Sequence, residues 1–217
     1  MFEEKSAQRI YDTLGKDVKL IFIFRNPVSR AYSHFLMSRR KGFETLSFDD
    51  AIEKEPERLN TDPEKKFNYS YFTRGYYALQ VERFLKLFSR ENFLFLVMED
   101  DFVKNRKVTF ERIQDFLGVK KAALNLGVKS NEAAAPKSKM VHDITRKKNP
   151  LKKIFGKLIP KSLRKSVQNF ISKNNEATIQ NPKLDPKREK ELIEKYFIGD
   201  IHRLEKMIDR DLSSWYN

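Results

Sequence analysis

The sequence predicts an α/β fold: a parallel sheet flanked by helices, followed by a helical carboxyl-terminal part. Three observations carry this. Two short runs, Val18–Phe24 and Phe93–Met98, are apolar apart from Lys19, as suits strands buried on both faces of a parallel sheet. Segments of helical spacing separate and follow them, in the order strand, helix, helix, strand, helix, which fits the crossovers such a sheet needs. Glycines at 15, 42, 75 and 118 punctuate the segments.

Taken in order, residues 4–14 form a short helix leading to Gly15, and Val18–Phe24 forms the first strand. Arg25-Asn26-Pro27 follows. Asn can cap a helix, and Pro in the first turn removes no hydrogen bond. A helix is therefore expected from Pro27 to about Lys41, with Val28, Ala31, Tyr32, Phe35 and Leu36 as its apolar stripe and Gly42 as its stop. Residues 45–68 are charged and irregular, with short helical stretches around Phe48–Lys54. Gly75 opens a helix that turns Tyr77, Val81, Phe84, Leu85 and Phe88 to one side. After the second strand, Glu99-Asp100-Asp101 are placed to cap the next helix and form ion pairs, a metal or base role being the other reading. That helix carries Phe110, Ile113, Phe116 and Leu117 inward up to Gly118. From about Ala133 the chain reads as helical and basic. A last helix over Pro186–Asp209 turns Leu192, Tyr196, Ile201, Leu204 and Ile208 inward.

Composition narrows the function. The chain has 217 residues, 40% hydrophobic and 34% charged, with no cysteine. This suits a soluble globular domain and excludes a disulfide scaffold, a thiolate zinc site and a cysteine nucleophile. No apolar run approaches the roughly 20 residues that span a bilayer. The start, MFEEKSAQRIYD, is acidic and polar, unlike a secretion leader, so a cytoplasmic location is expected. The three histidines have no metal-site spacing, and no metal is expected. The net charge is +14, and residues 136–175 hold twelve basic side chains against one acidic, so most of the excess lies in that one segment.

The chemistry concentrates at the first strand–turn–helix unit. In an open parallel sheet, ligands sit at the carboxyl ends of strands, where the next helix presents its amino end. Free N–H groups and the helix dipole there suit an anion. Arg25 stands at that spot, and an arginine fork matches phosphate. Ser29, Arg30 and Ser33 add donors along the helix flank. Read from the residues alone, a phosphate site competes with an Arg25–carboxylate pair and plain surface serines.

The run RNPVSRAYSHF after an apolar strand resembles the 3′-phosphate-binding element of sulfotransferases that use 3′-phosphoadenosine 5′-phosphosulfate (PAPS), closest in pattern to the heparan-sulfate-type and bacterial branches. YFTRGYYALQVERFLKLFSRENFLFLVMEDDF resembles the family's later block, and LDPKREKELIEKYFIGDIHRLEKMIDRDLSSW its terminal helix and closing tryptophan, Trp215. The resemblance covers residues 7 to 217. It implies a P-loop-NTPase-like sheet and PAPS as co-substrate, with no metal. It further implies in-line transfer of a sulfuryl group to a hydroxyl or amine, in the first place on a carbohydrate acceptor. Arg25 and Ser33 would hold the 3′-phosphate. Arg30 would face the nucleotide or pair internally, Arg74 and Gly75 would lie near it, and Tyr76 or Tyr77 would stack on adenine or join the core. His34 would approach the centre or pack. No catalytic base is assigned.

The family's other nucleotide element, a Lys-x-Gly-Thr-Thr-like turn that holds the 5′-phosphosulfate, has no counterpart among the seven glycines. The expectation is a partial domain over 1–217, truncated at its amino end, that alone binds nucleotide weakly and turns over little. A late start codon, a truncated gene and a catalytically altered relative would each account for it. The alternative function is a catalytically incomplete relative that binds nucleotide, polyanions or an anionic membrane surface. Residues 137–173 form a basic amphipathic segment whose Leu151, Ile154, Phe155, Leu158 and Ile159 follow helical spacing. It reads first as a cap helix with solvated lysines, second as a contact for a glycan or lipid-linked acceptor, and last as a nucleic-acid surface.

Overall fold

The computed structural model describes residues 2–61, 66–122, 134–136, 176–178 and 182–217. The chain forms two compact units, one of residues 1–127 with 183–217, the other of residues 128–182. The basic segment 137–173 lies outside the described residues.

The first unit is built on β1 (Leu20–Phe24) and β2 (Phe93–Val97), which pair in parallel with Leu20 opposite Phe93 and Phe24 opposite Val97. The α/β expectation therefore holds. Phe22 and Phe24 share one face with Phe93 and Phe95, and edge and stacked contacts at 5.5–5.9 Å join the rings. The other face is less covered than the sequence suggests. Ile23 is 49% exposed, while its partner Leu96 is fully buried.

Helix α1 is Ser6–Leu14. Helix α2 runs Pro27–Arg40; Asn26 caps it, and Gly42 follows at φ +75°. Val28, Ala31 and Phe35 are buried as expected, joined by His34 and Ser38. Three short helices follow: α3 (Phe48–Glu53), capped by Ser47, α4 (Glu55–Thr61) and α5 (Lys66–Tyr69). A turn over Thr73–Gly75 leads into α6 (Tyr77–Leu85), which lays Phe84 against Phe22 at 5.0 Å. Its amino end is capped from afar: Asp200 accepts from the Ala78 N–H at 3.1 Å.

After β2 a π-helical segment, Met98–Lys104, precedes α7 (Arg106–Leu117). The expected inward face of α7 is only half covered. Phe110, Ile113 and Phe116 are half-buried and Leu117 is 41% exposed, so Thr109 is its sole buried residue. The single helix expected over Pro186–Asp209 is two, α8 (Pro186–Tyr196) and α9 (Ile198–Ile208). The break falls at Phe197, whose fully buried ring packs on Phe72 at 4.9 Å. Leu192, Ile201, Leu204 and Ile208 are buried as expected, Tyr196 only half.

In the second unit the described residues are strands where a helix was expected. β3 (Ala134–Pro136) pairs antiparallel with β4 (Glu176–Thr178), with Ala135 opposite Ala177. Pairing across so long a stretch leaves no local signal, because strand preference depends on the partner. Among the described residues, no helix is long and apolar enough to cross a membrane.

Candidate functional site

The strands β1 and β2 end side by side, and their carboxyl ends carry Arg25-Asn26 and Met98-Glu99. Arg25 is exposed there. No described residue takes its side chain as a hydrogen-bond or ion-pair partner. Its carbonyl accepts from the buried Tyr77 hydroxyl at 3.0 Å.

Asn26 organises the turn. Its Oδ1 accepts from the N–H groups of Val28 and Ser29, both at 3.0 Å, and its carbonyl from Arg30 N–H at 2.9 Å. Its own N–H donates to Glu99 Oε1 at 3.1 Å. The first-turn amides of α2 are thus already used, and Pro27 has none. Contrary to the expectation of free amides for an anion here, Asn26 consumes them. What the turn offers an anion is side-chain donors and the helix dipole.

Those donors divide. Ser33 is half-buried, and no described residue bonds its hydroxyl. It stands two turns above Asn26, about 10 Å along the helix, on the same face as Ser29. Ser29 is engaged, its hydroxyl donating to Glu189 Oε1 on α8 at 2.8 Å. Arg30 turns inward, and its guanidinium donates to the Tyr71 carbonyl. Burial lowers the Arg30 pKa, and the nearby Tyr77 hydroxyl and Glu55 carboxylate offset this in part. Arg74 is also held within the protein. It donates to Ser70 Oγ at 2.8 Å and lies over the Phe2 ring at 5.0 Å. Gly75 is buried by packing, since a Cβ there would meet Phe197 Cε1 at 2.7 Å and Pro27 Cβ at 3.1 Å. Of the five residues expected at the nucleotide, Arg25 is exposed and Ser33 half-buried, both with side-chain donors unbonded among the described residues, while Arg30, Arg74 and Gly75 are held in internal contacts.

The remaining candidates sort the same way. Tyr77 is core, and burial pushes its hydroxyl up to about 12. Tyr76 is half-buried against Phe197 at 5.1 Å. His34 is buried against Tyr71, and burial, with Arg74 and Arg30 nearby, lowers its pKa to about 4. Asp100 pairs with Lys104 at 2.7 Å. Asp101 is a buried hub that accepts from Val97 N–H at 2.5 Å and pairs with Arg112 and Arg210.

Three residues that matter here give no local sequence signal as a group. Glu55 accepts from the N–H groups of Phe72 and Thr73 at 2.7 and 2.8 Å, fixing the turn before Gly75, and burial raises its pKa. Glu99 and Trp215 join Asn26 across 73 and 189 residues of chain.

Comparison with known proteins bears on this geometry. The sulfotransferase domain family model matches residues 3–195. The heparan sulfate glucosamine 3-O-sulfotransferase 6 of Homo sapiens is 30% identical over 125 residues, covering 55% of this chain and 33% of that protein. The mouse (Mus musculus) 3-O-sulfotransferase 3B1 is 29% identical over 120 residues, covering 55% and 30%. A crystal structure of a sulfotransferase from Alicyclobacillus acidocaldarius superposes with a TM-score of 0.64 at 27% identity, covering 100% of this chain and 64% of that one. The chain spans about a third of the length of the curated relatives it matches.

Proposed function

The chain belongs to the sulfotransferase domain family, and on that premise we propose that it takes PAPS as donor and uses Arg25 and Ser33 to hold the nucleotide's 3′-phosphate. One observation carries the reading: Arg25 is an exposed guanidinium at the carboxyl end of a parallel strand, with no carboxylate partner among the described residues. An arginine fork and a hydroxyl supply charge and hydrogen bonds to a phosphate. The dipole of the fourteen-residue α2 adds to the field at its foot. The 3′-phosphate sets this nucleotide apart from common adenine nucleotides, so these residues act in recognition and orientation. They do not touch the sulfur that is transferred, and no residue is assigned as the base.

Arg30, Arg74 and Gly75 serve the same site from behind. Arg30 adds positive field without contact, and Gly75 lets Phe197 and Pro27 both approach its backbone. For the acceptor, we propose a carbohydrate hydroxyl or amine on an anionic chain. The two named relatives act on heparan sulfate glucosamine, and residues 136–175 carry the charge to gather such a chain.

Titration calorimetry of the chain with adenosine 3′,5′-bisphosphate tests the donor reading. Arg25→Ala removes a charge-assisted bond of about 1.5–3 kcal/mol, so affinity should fall roughly 10- to 150-fold. Equal affinity in the variant would remove Arg25 from the site.

A further inference from the structure

Glu99 and Trp215 have no part in the reading above, yet they meet at the turn that presents Arg25. One Glu99 carboxylate oxygen accepts from Asn26 N–H at 3.1 Å, and the other from the Trp215 indole Nε1–H at 3.3 Å. The Asn26 amide returns to the same residue, its Nδ2 donating to the Trp215 carbonyl at 3.3 Å. On the far side, Tyr77 donates to the Arg25 carbonyl at 3.0 Å, with its ring 6.3 Å from the indole.

The peptide unit that joins Arg25 to Asn26 is therefore bonded at both ends, its oxygen to Tyr77 and its N–H to Glu99. With that plane fixed on one side and β1 on the other, the Cα–Cβ direction of Arg25 is set, and only its side-chain torsions remain to be chosen. Trp215 is 4% exposed and Tyr77 6% exposed, so neither group can swing away without opening the core. We propose that Glu99 and Trp215 are positioning residues for Arg25: the last turn of the chain reaches back to the end of β2 and, through Glu99, sets the phosphate anchor. The inference rests on the nucleotide reading of Arg25.

The sign of one substitution separates this from a plain charge effect. A carboxylate beside an anion site repels the ligand, so if Glu99 acted only as a charge, Glu99→Gln would tighten binding. As a positioning residue it must weaken it, because a glutamine can accept from one of the two donors but not from both. Trp215→Phe keeps an aromatic ring, removes only the Nε1–H donor, and changes no charge.

The measurement is the affinity of the full chain for adenosine 3′,5′-bisphosphate divided by that for adenosine 5′-monophosphate, with the thermal midpoint alongside. The ratio reports the 3′-phosphate contact, which a loss of fold stability alone would not move. Both variants should lower the ratio roughly tenfold, as expected for a misplaced binding group. Neither should lower it further in an Arg25→Ala background. An unchanged ratio in both variants, or a raised one in Glu99→Gln, overturns the inference while the nucleotide reading stands on the loss in Arg25→Ala. If Arg25→Ala itself keeps the ratio, the nucleotide reading fails and the inference with it.

Discussion

At Gly75 the packing has room for a hydrogen and nothing larger. The position needs no unusual backbone, unlike Gly42 and Gly118 with φ near +70°; it needs space, because the Phe197 ring would lie 2.7 Å from a Cβ. Gly75→Ala should destabilise the chain by about 1–3 kcal/mol, the usual cost of overpacking a core, read as a lower urea midpoint. His34 makes a different prediction. Its ring lies in the core, and burial, with Arg74 and Arg30 near it, lowers its pKa to about 4. As pH falls through 6.5 the unfolded chain takes up this proton, while the folded chain does not until about pH 4. The site therefore costs stability increasingly across that window. His34→Gln should flatten the fall in urea midpoint between pH 6.5 and 4 and leave it unchanged above about pH 7. Equal slopes in the two proteins would place the histidine's titration elsewhere.

Elements whose ends are fixed by neighbours in sequence were legible, and those fixed by distant residues were not. Asn26-Pro27 and Gly42 bound α2 where the sequence puts them, because cap, first-turn proline and left-handed glycine act within a few residues. The break at Phe197 was invisible, since the groups its ring packs against, Phe72 and Gly75, lie on other elements. The start of α6 depends on distance too. Its cap is Asp200 on α9, where burial raises the carboxyl pKa. Asp200→Ala should cost about 0.5–2 kcal/mol, as loss of a cap does, with the deficit seen first as faster amide exchange in the first turn of α6. The site follows the same rule. Arg25 and Ser33 stood out because their motif is contiguous. The inward turn of Arg30, the capture of Ser29 by Glu189 and the consumption of the α2 amides by Asn26 needed the packed structure.

On the scale of the whole molecule, most of the excess charge falls in one stretch of the sequence. The α/β body is nearly balanced, and twelve basic residues fall within 136–175. If that segment gathers a polyanionic acceptor, reversing Lys152, Lys153 and Lys157 to glutamate should move elution from immobilised heparin to clearly lower salt, with nucleotide affinity unchanged. Unaltered elution would remove the segment from the acceptor reading. Arg25 belongs to neither account of the bulk charge. It is one cation set by two parallel strands, a capped helix and the last turn of the chain. The central claim is that this cation meets a 3′-phosphate. A crystal structure of the chain with adenosine 3′,5′-bisphosphate tests it most directly. The account predicts 3′-phosphate oxygens at about 2.7–3.2 Å from the Arg25 guanidinium and the Ser33 hydroxyl. A nucleotide bound with its 3′-phosphate away from both residues would contradict it.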